Sequence, residues 1–184
     1  MVSRFQSNRE VITQEKMNTI IQILCTSMYA EKVFLEFAKI LENESDLAFV
    51  SDLIETLTLA AAASPLYLKF RNKLLGKQPT EHVNSKDELF MTLFSTWSYN
   101  PISTLTLCLL SRNYELAYNL IPRFTMIELD TSKLIQLGNL VQLIESPTFV
   151  NLRIEMMYQD TNSQFLLKTL QGILLVLPLS KSFQ

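Results

Sequence analysis

The chain has 184 residues, 48% of them hydrophobic and 18% charged, with only 3 Gly and 6 Pro. That composition excludes a disordered chain, and its low turn content disfavours a many-stranded sheet, so helices are expected throughout. A net charge of −2, from 16 basic and 18 acidic residues, leaves no electrostatic footprint for a nucleic-acid binder.

The first residues, MVSRFQSNRE, contain no apolar core of a secretory signal. Cys25 and Cys108 each sit inside an apolar run, where a thiol behaves as a small buried hydrophobe; no disulfide framework is implied and a reducing, cytosolic setting is expected. Apolar residues then recur at helical spacing: Val33, Phe37 and Ile40; Leu47, Val50, Ile54 and Leu57. Ser64-Pro65 supplies a helix cap and a proline at the first helical position, as do Asn100-Pro101 and Ser146-Pro147 further on. The run KFRNKLLGK places Lys69, Arg71, Lys73 and Lys77 together without an acid, whereas Glu42 to Glu55 carries five acids and no base. The basic run reads first as the cationic end of a helix dipole, and alternatively as a contact for anionic lipid.

Residues 77–84 form a polar interior linker, and the lone histidine, His82, falls there as a solvated side chain. Ser85 and Glu88 then make a capping box. From Leu89 to Ser111 no charge occurs, a length sufficient to span a bilayer, yet ten hydroxyl, amide or proline positions and the Asn100-Pro101 break argue for two buried helices joined by a corner. Weaker helix starts lie at Asn113 and at Asn162-Ser163, and a further period runs through Leu134, Leu137, Val141 and Ile144. About ten helices result, near 10–27, 30–43, 46–63, 65–75, 86–98, 101–111, 114–126, 131–145, 147–157 and 163–177. Their short connections force antiparallel neighbours, giving an all-α array stacked like a HEAT or armadillo solenoid. One domain over 1–184 is expected, with subregions 1–76 and 85–184.

Enzymatic machinery leaves little trace. One histidine, three isolated glycines and no Cys-His spacing provide no zinc site, phosphate loop or nucleophile elbow. The reading is non-catalytic, without cofactor or metal. Aromatics gather around two helix corners, at Trp97, Tyr99, Tyr114 and Tyr118. With mean hydropathy at +0.16, apolar surface is expected to remain for a partner. Trp97, Tyr99, Asn100, Tyr114 and Tyr118 are therefore candidates for self-association or partner binding, each with a competing structural role: Trp97 as a core anchor, Asn100 as a cap.

The stretches LFSTWSYNPISTLTLCLLSRNYELAYNLIPRF and KLIQLGNLVQLIESPTFVNLRIEMM resemble the C-terminal domain of a vacuole-morphology scaffold family. The pattern falls on Trp97, Asn100, Pro101, Asn113, Tyr114, Ala117, Tyr118, Leu120, Ile121 and Phe124, and again from Leu140 to Arg153. Ser98, Tyr99 and Asn139 depart from it, as does the segment from Pro122 to Asp130. The resemblance implies a fragment of a longer HEAT-repeat protein. It also implies an assembly module that self-associates and docks a PIKfyve-type phosphatidylinositol 3-phosphate 5-kinase and an opposing Sac-type phosphatase, and so regulates phosphatidylinositol 3,5-bisphosphate. It further implies a cytosolic location, peripheral on vacuolar or late endosomal membranes through the complex.

Overall fold

A computed structural model describes residues 14–77, 85–124, 126 and 130–177. The linker positions 78–84 with His82, and the Ser85 side chain of the capping box, lie outside the described residues. Ten α-helices and two 3-10 turns occur among them, and no strand. In chain order they are α1 Gln14–Ser27, α2 Ala30–Leu41, α3 Leu47–Ala63, a 3-10 turn Pro65–Tyr67, α4 Leu68–Leu74, α5 Ser85–Trp97, α6 Pro101–Ser111, α7 Tyr114–Phe124, α8 Thr131–Glu145, a 3-10 turn Pro147–Phe149, α9 Val150–Glu155 and α10 Thr161–Val176. The fold is the all-α array of short-linked helices that periodicity implies. Packing divides it into two units, Met1–Leu107 and Cys108–Gln184, the division falling within α6.

Five of the helix and turn starts are capped by a side chain. Asp46 Oδ1 accepts from the Phe49 N–H at 3.0 Å, Asp130 from Lys133 at 2.8 Å, Asp160 from Ser163 at 2.7 Å, and Ser64 Oγ from Leu66 at 3.3 Å. Asn100 Oδ1 likewise accepts from Ser103 at 3.0 Å at the start of α6. Two expected caps are corrected. Ser146 Oγ makes no cap bond and is buried without a partner, and α10 begins at Thr161 on Asp160 rather than at Asn162-Ser163. Asn113 Nδ2 donates to Ser111 Oγ at 3.0 Å.

At the two Ser-Pro corners the chain turns through a 3-10 turn before its short helix, and an arginine seven residues after the serine closes the turn. Arg71 Nη1 donates to the carbonyls of Ala61 and Ser64, both at 2.7 Å. Arg153 Nη1 donates in the same way to Ile144 and to Ser146, the latter at 3.0 Å. These carbonyls end α3 and α8, where the helix leaves its last C=O groups unpaired and the dipole is negative, so a guanidinium both saturates and neutralises them. The sequence S-P-x-aromatic-aliphatic-x-apolar-R thus builds one corner twice, in SPLYLKFR and SPTFVNLR.

In the first unit α1 packs on α2 and α3, and α2 packs on α5. Phe34 lies at the centre, its ring centroid 4.6 Å from Phe70, 5.7 Å from Tyr67 and 6.4 Å from Trp97. In the second unit α7 lies along α10. Gly172 makes this approach possible, because a Cβ there would stand 2.5 Å from Ile121 Cγ2. Ile is stiff at χ1 and cannot swing aside. Gly172→Ala is therefore expected to destabilise the chain by about 2 kcal/mol despite the better helix propensity of alanine, as a urea titration will measure.

Candidate docking surfaces

The uncharged stretch 89–111 is two helices, α5 and α6, turned at Ser98–Asn100. No single helix among the described residues is long and apolar enough to cross a membrane. Among the same residues no group of three or more His, Cys, Asp and Glu side chains could hold a metal ion. Both cysteines are free and buried, and burial pushes the Cys108 thiol up to about 12.

The five aromatic and amide candidates separate by burial. Trp97 is 2% exposed, and its indole N–H donates to Thr58 Oγ1 at 2.8 Å, so it is a core anchor joining α5 to α3. Asn100 is also 2% exposed; besides capping α6 it donates to Ser51 Oγ at 3.1 Å. Tyr114 is 1% exposed and donates to Glu155 Oε2 at 2.7 Å. Tyr99 and Tyr118 are on the surface, at 45% and 36% exposure. The Tyr118 ring meets Phe165 at 5.9 Å, with Lys168 Nζ 5.8 Å from its centroid.

Of the basic set, Lys69 and Lys77 are exposed, whereas Arg71 is buried in its corner and Lys73 pairs with Glu31 at 2.7 Å. Sequence reasoning did not find Glu155. This buried carboxylate receives the Tyr114 hydroxyl and a salt bridge from Arg112, which stands at φ 64 where α6 ends. Left-handed backbone at a non-glycine residue is costly and is held here by that ion pair and by the Asn113 N–H bonding back to Cys108 O at 2.9 Å. The Glu155 bond raises the Arg112 pKa.

Desolvation, followed by the Glu155 hydrogen bond, pushes the Tyr114 hydroxyl well above the ordinary tyrosine range; desolvation and the neighbouring Cys25 do the same for Tyr67. Both native pKa values lie above the unfolded value of about 10, so their stabilising contribution is full below that pH and lost as pH rises through the native values. In an alkaline titration their tyrosinate absorbance is expected to appear only together with loss of helical dichroism. Tyrosinate from all six tyrosines before unfolding would refute this.

Large apolar side chains remain exposed in both units. In the first unit Met28, Tyr29, Leu47, Leu66, Leu68 and Met91 are each at least half exposed. In the second unit Leu174 and Leu175 on α10 and Met157 beyond α9 are more than 60% exposed. Paired helices with buried polar corners, apolar exposed positions and no metal-ligand group among the described residues define an all-α helical-array module that offers surfaces. The chain belongs to the family described as vacuolar protein 14 C-terminal Fig4p binding, whose pattern matches residues 10–184. It is 37% identical over 184 residues to the protein VAC14 homolog of Schizosaccharomyces pombe, covering 100% of this chain and 22% of that protein. It is 34% identical over 173 residues to the vacuole morphology and inheritance protein 14 of Saccharomyces cerevisiae, covering 94% and 19%. It is 32% identical over 179 residues to the protein VAC14 homolog of Arabidopsis thaliana, covering 97% and 23%. The chain thus spans about a fifth of the length of these relatives. No solved structure matches it.

Proposed function

We propose that this chain is a non-catalytic scaffold domain that docks a Sac-type phosphoinositide phosphatase and self-associates. In this reading it also docks a PIKfyve-type phosphatidylinositol 3-phosphate 5-kinase, so that opposing enzymes act on one pool of phosphatidylinositol 3,5-bisphosphate at vacuolar or late endosomal membranes. The observation that carries it is the match over 10–184 to a family described by its binding of Fig4p. Exposed apolar side chains on both units support an interface-rich surface. Holding two enzymes on one body raises their effective concentration at a shared substrate.

The purified chain is expected to co-elute from a sizing column with the phosphatase, and light scattering is expected to give a discrete multiple of 21.2 kDa that persists on dilution. A monomer at all concentrations overturns self-association for this chain, and separate elution overturns phosphatase docking by it. Tyr99 and Tyr118 are the candidates left on the surface for such contacts. A direct lipid contact through Lys69, Arg71, Lys73 and Lys77 is the second reading. With Arg71 and Lys73 already engaged, it rests on Lys69 and Lys77 and about 1 kcal/mol from each.

A further inference from the structure

Helices α1 to α5 and helices α6 to α10 follow one plan. The first helix of each set carries a free, buried cysteine in its last turn, Cys25 in α1 and Cys108 in α6, and two residues then lead to the second helix. An aspartate caps the third helix, Asp46 before α3 and Asp130 before α8. A Ser-Pro corner closed by an arginine leads on to the short helix, α4 or α9. In both sets the second helix packs on the fifth, α2 on α5 and α7 on α10.

The short helix also makes the same connection in both sets. Two residues after the corner arginine stands an ionic side chain, Lys73 after Arg71 and Glu155 after Arg153, and each pairs at the start of the second helix. Lys73 meets Glu31, the second residue of α2, at 2.7 Å, and Glu155 meets Arg112, two residues before α7. The polarity is opposite: the short helix supplies the cation in the first set and the anion in the second. Helix dipoles favour only the first arrangement, with an anion in the first turn of α2 and a cation in the last turn of α4. In the second a cation precedes α7 and a carboxylate ends α9, so the dipoles oppose this polarity and do not account for the reversal.

We propose that the opposed polarities keep each short helix with its own set while the chain folds. Two copies of one helical plan in a single chain can exchange equivalent elements, a characteristic misassembly of repeated architectures. Were α4 and α9 to exchange places, Lys73 would face Arg112 and Glu155 would face Glu31. Glu155 is 6% exposed, and a buried carboxylate that loses its guanidinium and meets a second carboxylate is strongly disfavoured. With one polarity in both sets, the exchanged pairs would be as well matched as the native ones. Side-chain shape discriminates less, since Tyr67 matches Phe149 and Phe70 matches Leu152, all four buried. The inference concerns folding alone and stands whether or not the phosphatase docks.

The test uses the whole chain. Glu31→Lys with Lys73→Glu gives the first set the polarity of the second, whereas Glu31→Asp with Lys73→Arg keeps its own. Each protein is unfolded in urea, refolded by dilution, treated with a carbodiimide, which joins a carboxylate to an adjacent amine, and digested for mass spectrometry. After inversion, exchange brings position 31 against Glu155, so a 31–155 amide reports it directly. That amide is expected to be at least about fivefold more abundant in the refolded inverted protein than in a sample never unfolded, the ratio that ~1 kcal/mol of lost discrimination gives. Recovery of native dichroism is expected to fall in parallel, while the polarity-keeping variant recovers as completely as the wild type. Equal 31–155 amide in the two samples overturns the proposal, as does an equal shortfall in the polarity-keeping variant. If the inverted variant does not fold when expressed, Glu31→Gln with Lys73→Gln removes the charges instead. Its recovery is expected to lie below that of the polarity-keeping variant, and equal recovery overturns the proposal.

Discussion

Trp97→Ala is expected to lower the unfolding free energy by about 4 kcal/mol, since truncating a buried Trp removes its transfer free energy and leaves a cavity. The side chain is 2% exposed, its ring faces Phe34, and its indole N–H is satisfied by Thr58 at 2.8 Å. A domain of this size has only about 5–15 kcal/mol in total, so the variant approaches the limit of folding at ordinary temperature. Trp97→Phe keeps most of the ring volume and loses the hydrogen bond, and a smaller loss of about 1–2 kcal/mol is expected. Urea titration followed by circular dichroism distinguishes the two. If Trp97→Ala unfolds with the wild-type midpoint while complex formation fails, then Trp97 acts at an interface and the core assignment is wrong.

The second large effect is expected at Glu155. Glu155→Ala leaves the Arg112 guanidinium without its carboxylate and Tyr114, buried at 1% exposure, without an acceptor. Breaking a buried ion pair costs about 3–5 kcal/mol. Arg112 is 37% exposed, and solvent screening places the expected loss near the lower figure, about 3 kcal/mol. Tyr114→Phe removes one bond to the carboxylate and is expected to cost about 1.5 kcal/mol. The double variant Glu155→Ala, Tyr114→Phe should lose clearly less than the sum, since the two groups share one network. Additive losses in the cycle would show that Tyr114 and Glu155 do not act together.

Helix positions were largely legible in the sequence because apolar periodicity and the Pro-containing starts are local signals. The break at Asn100-Pro101 is real, and Asn100 caps α6 as its residue type suggests. Side-chain fate was less legible. Arg71 reads as one of four bases in KFRNKLLGK, and only the fold turns it back onto the end of α3. Tyr114 has the composition of an interface residue, yet its partner is 41 positions away, a separation no local pattern reports.

The two arginine corners bear on how this family can change length. In each, the guanidinium reaches the end of the preceding helix from a position counted from the Ser-Pro step, seven residues after the serine. Adding or deleting one residue inside that interval would rotate the arginine about 100° around its short helix and strand the carbonyls it serves. Lineages can therefore drift at exposed intervening positions such as Leu66, Leu68 and Lys69, but not at the buried Tyr67, Phe70, Phe149 and Leu152, nor in the number of residues. Insertions should accumulate in the connections outside Ser64–Arg71 and Ser146–Arg153, where loop lengthening costs little free energy.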